Sequence, residues 1–109
     1  MSVQTVLIVD DELHIRRLLK NTLERAGYGV EAAVDAREAL RIAASRPLTA
    51  VLLDLGLPDR DGLELVPLLK KLGDPIVLVV SAREATDQKV AALDLGAEDY
   101  VTKPFDTEE

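Results

Sequence analysis

The sequence predicts an α/β protein built on a doubly wound parallel sheet. Three short apolar runs carry that expectation: VLIV at 6–9, AVLL at 50–53 and IVLVV at 76–80. They are rich in branched residues and lack the period-2 alternation of half-exposed strands, which is the pattern of parallel strands buried on both faces. Between them lie stretches whose apolar residues recur at helical spacing, joined by short connections. Right-handed crossovers then put helices on both faces of one sheet; the flavodoxin-like strand order 2-1-3-4-5 is the expected one, although the alternation alone does not fix strand order.

Each element has its own justification. After the strand at 6–9, Ile15, Leu18, Leu19, Thr22, Leu23 and Ala26 make one apolar stripe of a first helix, with Arg16, Arg17, Lys20, Asn21 and Arg25 off it and Gly27 as the stop. A weaker strand is expected at 29–33. The second helix opens at Asp35, because Asp35 and Glu38 have capping-box spacing; it should bury Ala39, Leu40 and Ala43 and end at Pro47. The strand at 50–53 leads through a turn from Pro58 to Gly62 into a third helix reaching about Leu72, where Pro67 must sit in the first turn or kink the axis. The strand at 76–80 precedes a fourth helix over 85–95 that should bury Val90, Ala91 and Leu93 and stop at Gly96. A last strand is expected at 99–102.

Composition bounds the function. A chain of 109 residues has room for one domain, read here as 1–109, and not for two. No apolar run approaches the ~18 residues of a bilayer span, and MSVQTVLIVDDE lacks the basic leader and cleavage site of a signal peptide. The absence of cysteine excludes disulfides and thiolate metal sites and fits a cytoplasmic location. The formal charge of −7 opposes a phosphate backbone, so this chain alone is not expected to bind DNA.

The chemistry lies just after the apolar runs. Asp10 and Asp11 follow the first, Asp54 the central one, Ser81 the next, and Lys103 the last strand. In a parallel sheet all five residues reach the carboxyl edge, where open α/β sheets bind ligands. Three carboxylates brought together repel one another, and a hard divalent cation relieves that repulsion. Oxygen ligands of this number suit Mg²⁺, or Mn²⁺ in its place, sharing its shell with water and a substrate phosphate. Lys103 can pair with a carboxylate at rest and with a phosphoryl oxygen afterwards, and Ser81 can donate one hydrogen bond to the same group. A carboxylate so flanked is equipped to attack phosphorus and form an aspartyl phosphate.

The pair in VDDE, the acceptor segment LLDLGLPDRDG, VVSAR and DYVTKPF, in that order, resemble the successive signature motifs of response regulator receiver domains. The resemblance covers essentially the whole chain. It implies that Asp10 and Asp11 hold Mg²⁺, that Asp54 is phosphorylated, and that the backbone carbonyl of Gly56 completes the protein ligands, so that any side chain would be tolerated there. It also implies a cis bond between Lys103 and Pro104, a switch formed by Ser81 and Tyr100, and a sensor histidine kinase as phosphoryl donor. The DLGLPD and SAR segments, with Lys89 and Glu98-Asp99-Tyr100, look most like the OmpR/PhoB class and extend to KdpE-type regulators. That class dimerises on phosphorylation, with Lys89 and Asp99 on the dimer surface, and binds DNA only through an output domain. By the same resemblance, the fifth helix is expected to be largely missing at Glu109, leaving apolar surface on the first helix uncovered.

Blander roles exist for each residue alone. An isolated Asp10 or Asp11 would read as a helix cap, Asp54 as a polar strand end, Lys103 as a solvated lysine, and Tyr100 as strand packing. His14 is expected to be exposed surface, and Asp59 and Asp61 to serve turn and capping chemistry. A phosphohydrolase of the haloacid dehalogenase type needs a second acid two residues after the nucleophile, where this chain has Gly56. A nucleotide or flavin module needs a glycine-rich loop where it has Asp10-Asp11. A receiver acting only as a relay intermediate or phosphate sink is the remaining alternative.

Overall fold

Burial decides where the strands lie. The computed structural model describes residues 3–82 and 86–103. β1 (Thr5–Val9) is buried at Val6, Leu7, Ile8 and Val9 alike and takes the centre, paired in parallel with β2 (Gly29–Ala33) and β3 (Ala50–Leu53). β4 (Ile76–Ser81) and β5 (Asp99–Thr102) extend the sheet, giving the order β2-β1-β3-β4-β5 that the sequence predicts. β1 from Val6 onward and the end of β4 from Val79 onward are buried on both faces. In β3 and β4 one face is sealed by Val51, Leu53, Val77 and Val79, while Leu52 and Leu78 on the other are half-buried and Ile76 is exposed.

The sealed face carries the core. There α2 (Ala36–Ser45), α3 (Leu65–Lys71) and α4 (Thr86–Asp94) pack Ala36, Ala39, Ile42, Ala43, Leu65, Val66, Leu69 and Ala92 against Leu7, Val9, Val51, Leu53, Val77 and Val79. Two burial expectations are corrected. Ile42 takes the buried place in α2 that Leu40 was expected to share, Leu40 being only partly covered. In α4 only Ala92 is buried, and Val90 and Leu93 are 50% and 39% exposed, because the small Ala92 is the residue that meets the sheet. α1 (Leu13–Arg25) has no fully buried residue, and its stripe residues Ile15, Leu18, Leu19 and Leu23 are half-buried. The fifth-helix region, the Lys103–Pro104 bond and the start of the fourth helix at Ala85 fall outside the described residues.

Local chemistry sets the ends. Asp35 caps α2 by accepting from the Glu38 amide at 2.9 Å, and the Glu38 carboxylate reaches back to the Val34 amide, one residue before the box the spacing predicts. A 3-10 turn over Gly62–Glu64, capped by the Asp61 carboxylate on the Leu63 amide, leads into α3. Pro67 is therefore in the first turn of α3, where it breaks no hydrogen bond.

Two glycines in the β3–α3 loop differ in what surrounds them. A Cβ on Gly62 would lie 2.6 Å from the Asp54 carbonyl oxygen and 2.6 Å from the Leu55 Cα, both backbone atoms, whereas one on Gly56 would meet nothing closer than an Asp54 carboxylate oxygen at 4.0 Å. Gly62→Ala should therefore cost about 1–3 kcal/mol of unfolding free energy in urea, and Gly56→Ala no more than ~0.5 kcal/mol. Equal costs at the two positions would contradict this account of the loop.

Candidate functional site at the carboxyl edge of the sheet

The parallel ladder brings the acidic residues together. Asp10 and Asp54 each sit one residue beyond a strand, and the pairing continues through them: the Asp10 amide donates to the Ala33 carbonyl at 3.1 Å and the Asp54 amide to the Val9 carbonyl at 2.9 Å. With Val9 opposite Leu53, the two carboxylates become neighbours. Lys103 leaves β5 in the same manner, its amide donating to the Ser81 carbonyl at 2.8 Å. Asp10, Asp54, Ser81 and Lys103 are the buried polar residues among those described.

Lys103 organises the charges. Its Nζ donates to Asp10 Oδ2 at 2.7 Å and lies 3.4 Å from Glu12 Oε1 and 3.6 Å from Asp54 Oδ2. The second Asp10 oxygen accepts from the Glu12 amide at 2.9 Å, a local turn bond and not a cap of α1, whose N-cap Glu12 has no side-chain cap bond. Oxygens of Asp10, Asp11 and Asp54 lie within 4.8 Å of one another, the first and last buried and Asp11 exposed. Such a donor set, all oxygen and in excess over one ammonium, fits a small divalent cation. Asp11, Glu12, Asp54 and Lys103 border a cleft of about 310 Å³ lined also by Gly56, Ser81 and Ala82, with Asp10 buried against Lys103. A larger, open depression of about 520 Å³ beside α2 is lined by Asp35 and Glu38, whose carboxylates are engaged in capping.

Burial, and then the charge of Asp10, push the Asp54 carboxyl above its ordinary range; the Lys103 ammonium and the Gly56 amide oppose them, and Asp11 adds to the repulsion. Burial works against the Lys103 charge, but the hydrogen bond it donates to Asp10 and the charges of Asp54, Asp10 and Glu12 outweigh it and raise its pKa. Asp54 is thus a crowded anion and Lys103 a firmly held cation.

The other expected residues divide. Gly56 lies in the cleft, its amide donating to Asp54 Oδ1 at 3.3 Å. Tyr100 is buried in the core opposite Val79, not in the cleft. Lys89 and Asp99 are exposed, away from the cleft on α4 and β5, and His14 is exposed on α1 as expected. Sequence reasoning passed over two contributors. Glu12, the third acid of VDDE, lines the cleft and reaches Lys103. Arg16 donates from a guanidinium nitrogen to the Asp10 carbonyl at 2.9 Å, bracing the acidic turn from α1. The run of three acids was the available signal for Glu12; for Arg16 there was only its spacing, one turn along the helix.

Residues 6–109 match the family model for the response regulator receiver domain. Curated relatives include the response regulator MprA of Mycolicibacterium vanbaalenii, 46% identical over 105 residues. Another is the KDP operon transcriptional regulatory protein KdpE of Escherichia coli, 47% identical over 100 residues. The matches cover 95% and 92% of this chain but 46% and 44% of those proteins, so the chain spans about half their length. Among solved structures, a response regulator from Burkholderia pseudomallei containing a phosphorylated aspartic acid, calcium ion and citrate superposes with a TM-score of 0.90 at 32% identity, covering 94% of this chain and 61% of that one. A receiver domain protein from Methanospirillum hungatei gives 0.91 at 34% identity, with 96% and 85% covered.

The raised Asp54 pKa has a consequence for metal-free protein. Ionisation of a carboxyl whose folded pKa is raised opposes folding; the penalty is absent below the 3.8 of an unperturbed aspartate and grows as pH rises through the folded value. Asp54→Asn should therefore raise the melting temperature of metal-free protein at about pH 7 and do so much less near pH 4, which is close to that 3.8. Thermal unfolding of both proteins across that range is the check, and a gain that is largest at low pH would contradict the assignment.

Proposed function

Because the chain belongs to the response regulator receiver domain family, we propose that it accepts a phosphoryl group on Asp54 from a sensor histidine kinase. The observation that carries the proposal is the juxtaposition of a buried Asp54 carboxylate with Asp10, Asp11 and the Lys103 ammonium at one edge of the sheet. In the proposed step an Asp54 oxygen attacks phosphorus, the bond from phosphorus to the donor imidazole nitrogen breaks, and the imidazole leaves as the aspartyl phosphate forms. Mg²⁺, held by Asp10, Asp11, Asp54 and the Gly56 carbonyl, would supply neutralising charge and orient the phosphoryl oxygens when bound. Lys103 would move its ammonium from carboxylate to phosphoryl oxygen, a shift that its proximity to both Asp10 and Asp54 favours. Ser81, almost fully buried at the rim, would donate to the same group. Leu55 and Gly56 after Asp54 offer no second acid to activate water, which supports a phosphoacceptor over a hydrolase.

Output follows from the same reading. Movement of Ser81 toward the phosphoryl group would change the packing around Tyr100, which sits on the neighbouring strand. α4 exposes Val90 and Leu93, the turn after it Leu95, and β5 Val101, with Lys89 and Asp99 exposed on the same two elements. An apolar strip with flanking charges suits a homodimer formed on phosphorylation in the whole protein, with transcriptional control exerted through an output domain.

Incubation with acetyl phosphate and Mg²⁺ should add one phosphoryl group, and Asp54→Asn or excess EDTA should abolish it. Lys103→Ala should still bind Mg²⁺ but lose most of the phosphorylation-dependent spectral change at Ser81 and Tyr100. Intact-mass measurement and amide NMR read the two effects. Undiminished labelling of the Asp54→Asn protein would overturn the acceptor assignment.

A further inference from the structure

The loop that carries Gly56 is held at its tip by a carboxylate that the acceptor chemistry does not use. Asp59 Oδ1 accepts from the Ala36 amide at 2.9 Å and its Oδ2 from the Arg37 amide at 3.0 Å, so a residue 23 positions downstream caps the first turn of α2. With Asp35 on the Glu38 amide, the three leading amides of that helix are all satisfied, one from its own chain end and two from the loop. At its base the loop is closed by the bridge between Gly56 and Asp61 and by the Gly62 amide on the Leu55 carbonyl at 2.9 Å. Leu57 packs on the core from one side of the tip. Asp59 is itself exposed, so burial does not hold it in place; the two charge-assisted bonds to the helix do.

We infer that Asp59 is a positioning residue for the cation site: by clamping the loop tip to α2 it fixes, through the bridge at Asp61, the backbone of Gly56 beside Asp54. The inference rests on the proposed phosphoacceptor reading, in which the Gly56 carbonyl is a ligand. Groups that orient a metal ligand without touching the metal typically contribute ~10–100-fold in affinity. A residue serving only as a helix cap would contribute to stability and leave the cation alone. Asp35 provides that comparison, since it caps the same helix from the same end but has no bond to the loop.

The test measures Mg²⁺ binding by calorimetry, together with urea unfolding, for the unmodified chain, Asp59→Ala, Asp59→Asn and Asp35→Ala. Both alanine variants should lose stability. Only Asp59→Ala should weaken Mg²⁺ binding, by about tenfold, with Asp59→Asn, which keeps one acceptor oxygen, in between. Mg²⁺ affinity unchanged in Asp59→Ala, or lowered equally in Asp35→Ala, would overturn the positioning role while leaving the phosphoacceptor reading standing. Absence of Mg²⁺ binding by the unmodified chain would overturn both.

Discussion

Repulsion among Asp10, Asp11 and Asp54, with the Lys103 ammonium set against it, is the constraint around which the rest of the molecule is arranged. A parallel sheet has no freedom to relieve it: once Val9 is opposite Leu53, the residues that follow are neighbours whatever their charge. Lys103 answers part of the repulsion at 2.7 Å from Asp10 but lies 3.6 Å from Asp54, and the Asp54 pKa stays raised. Three carboxylates and Glu12 against one ammonium leave the site with unbalanced negative charge, a standing attraction for a cation and, with it, a phosphoryl group. The folded state carries that cost because the apolar strands behind it supply the stability.

The surroundings serve to hold this crowded edge still. Behind it, β1 and the sealed faces of β3 and β4 form a packed platform, so that strand ends cannot drift. Beside it, Arg16 braces the Asp10 carbonyl, Gly62 permits a close return of the loop against Leu55, and Asp59 ties the loop tip to α2. α4 is anchored to the sheet by a single buried residue, Ala92. In the proposed reading, exchange of partners by Lys103 and Ser81 would shift this element and carry a charge event at the edge to an apolar surface beyond it.

Much of this was legible in the sequence, and the reasons are particular. The strands were readable because branched apolar runs of that length have few other uses, and the acids were readable because each stands directly after such a run. Burial within helices was less so: Val90 and Leu93 are apolar at plausible spacing, but which face of a short helix meets the sheet depends on small residues such as Ala92, which carry little hydrophobic signal. Cross-chain capping was not legible at all. Asp59 was expected to serve turn and capping chemistry, but nothing in the sequence states that the amides it reaches are those of Ala36 and Arg37. Similarly, Lys103 was predicted at the edge, but its preference for Asp10 over Asp54 is set by Ångström-scale placement that a residue pattern does not encode.

The clustered carboxylates leave an unmet demand for a cation, which folding creates and the unfolded chain lacks. Its most direct measure is the unfolding free energy in urea as Mg²⁺ is raised over several decades. Stability should stay level until the dissociation constant is reached and then climb by about 1.4 kcal/mol for each further tenfold in free Mg²⁺. The stability of a variant with both Asp10 and Asp11 replaced by Asn should remain flat as Mg²⁺ is raised. A native chain as indifferent to Mg²⁺ as that variant would contradict the claim.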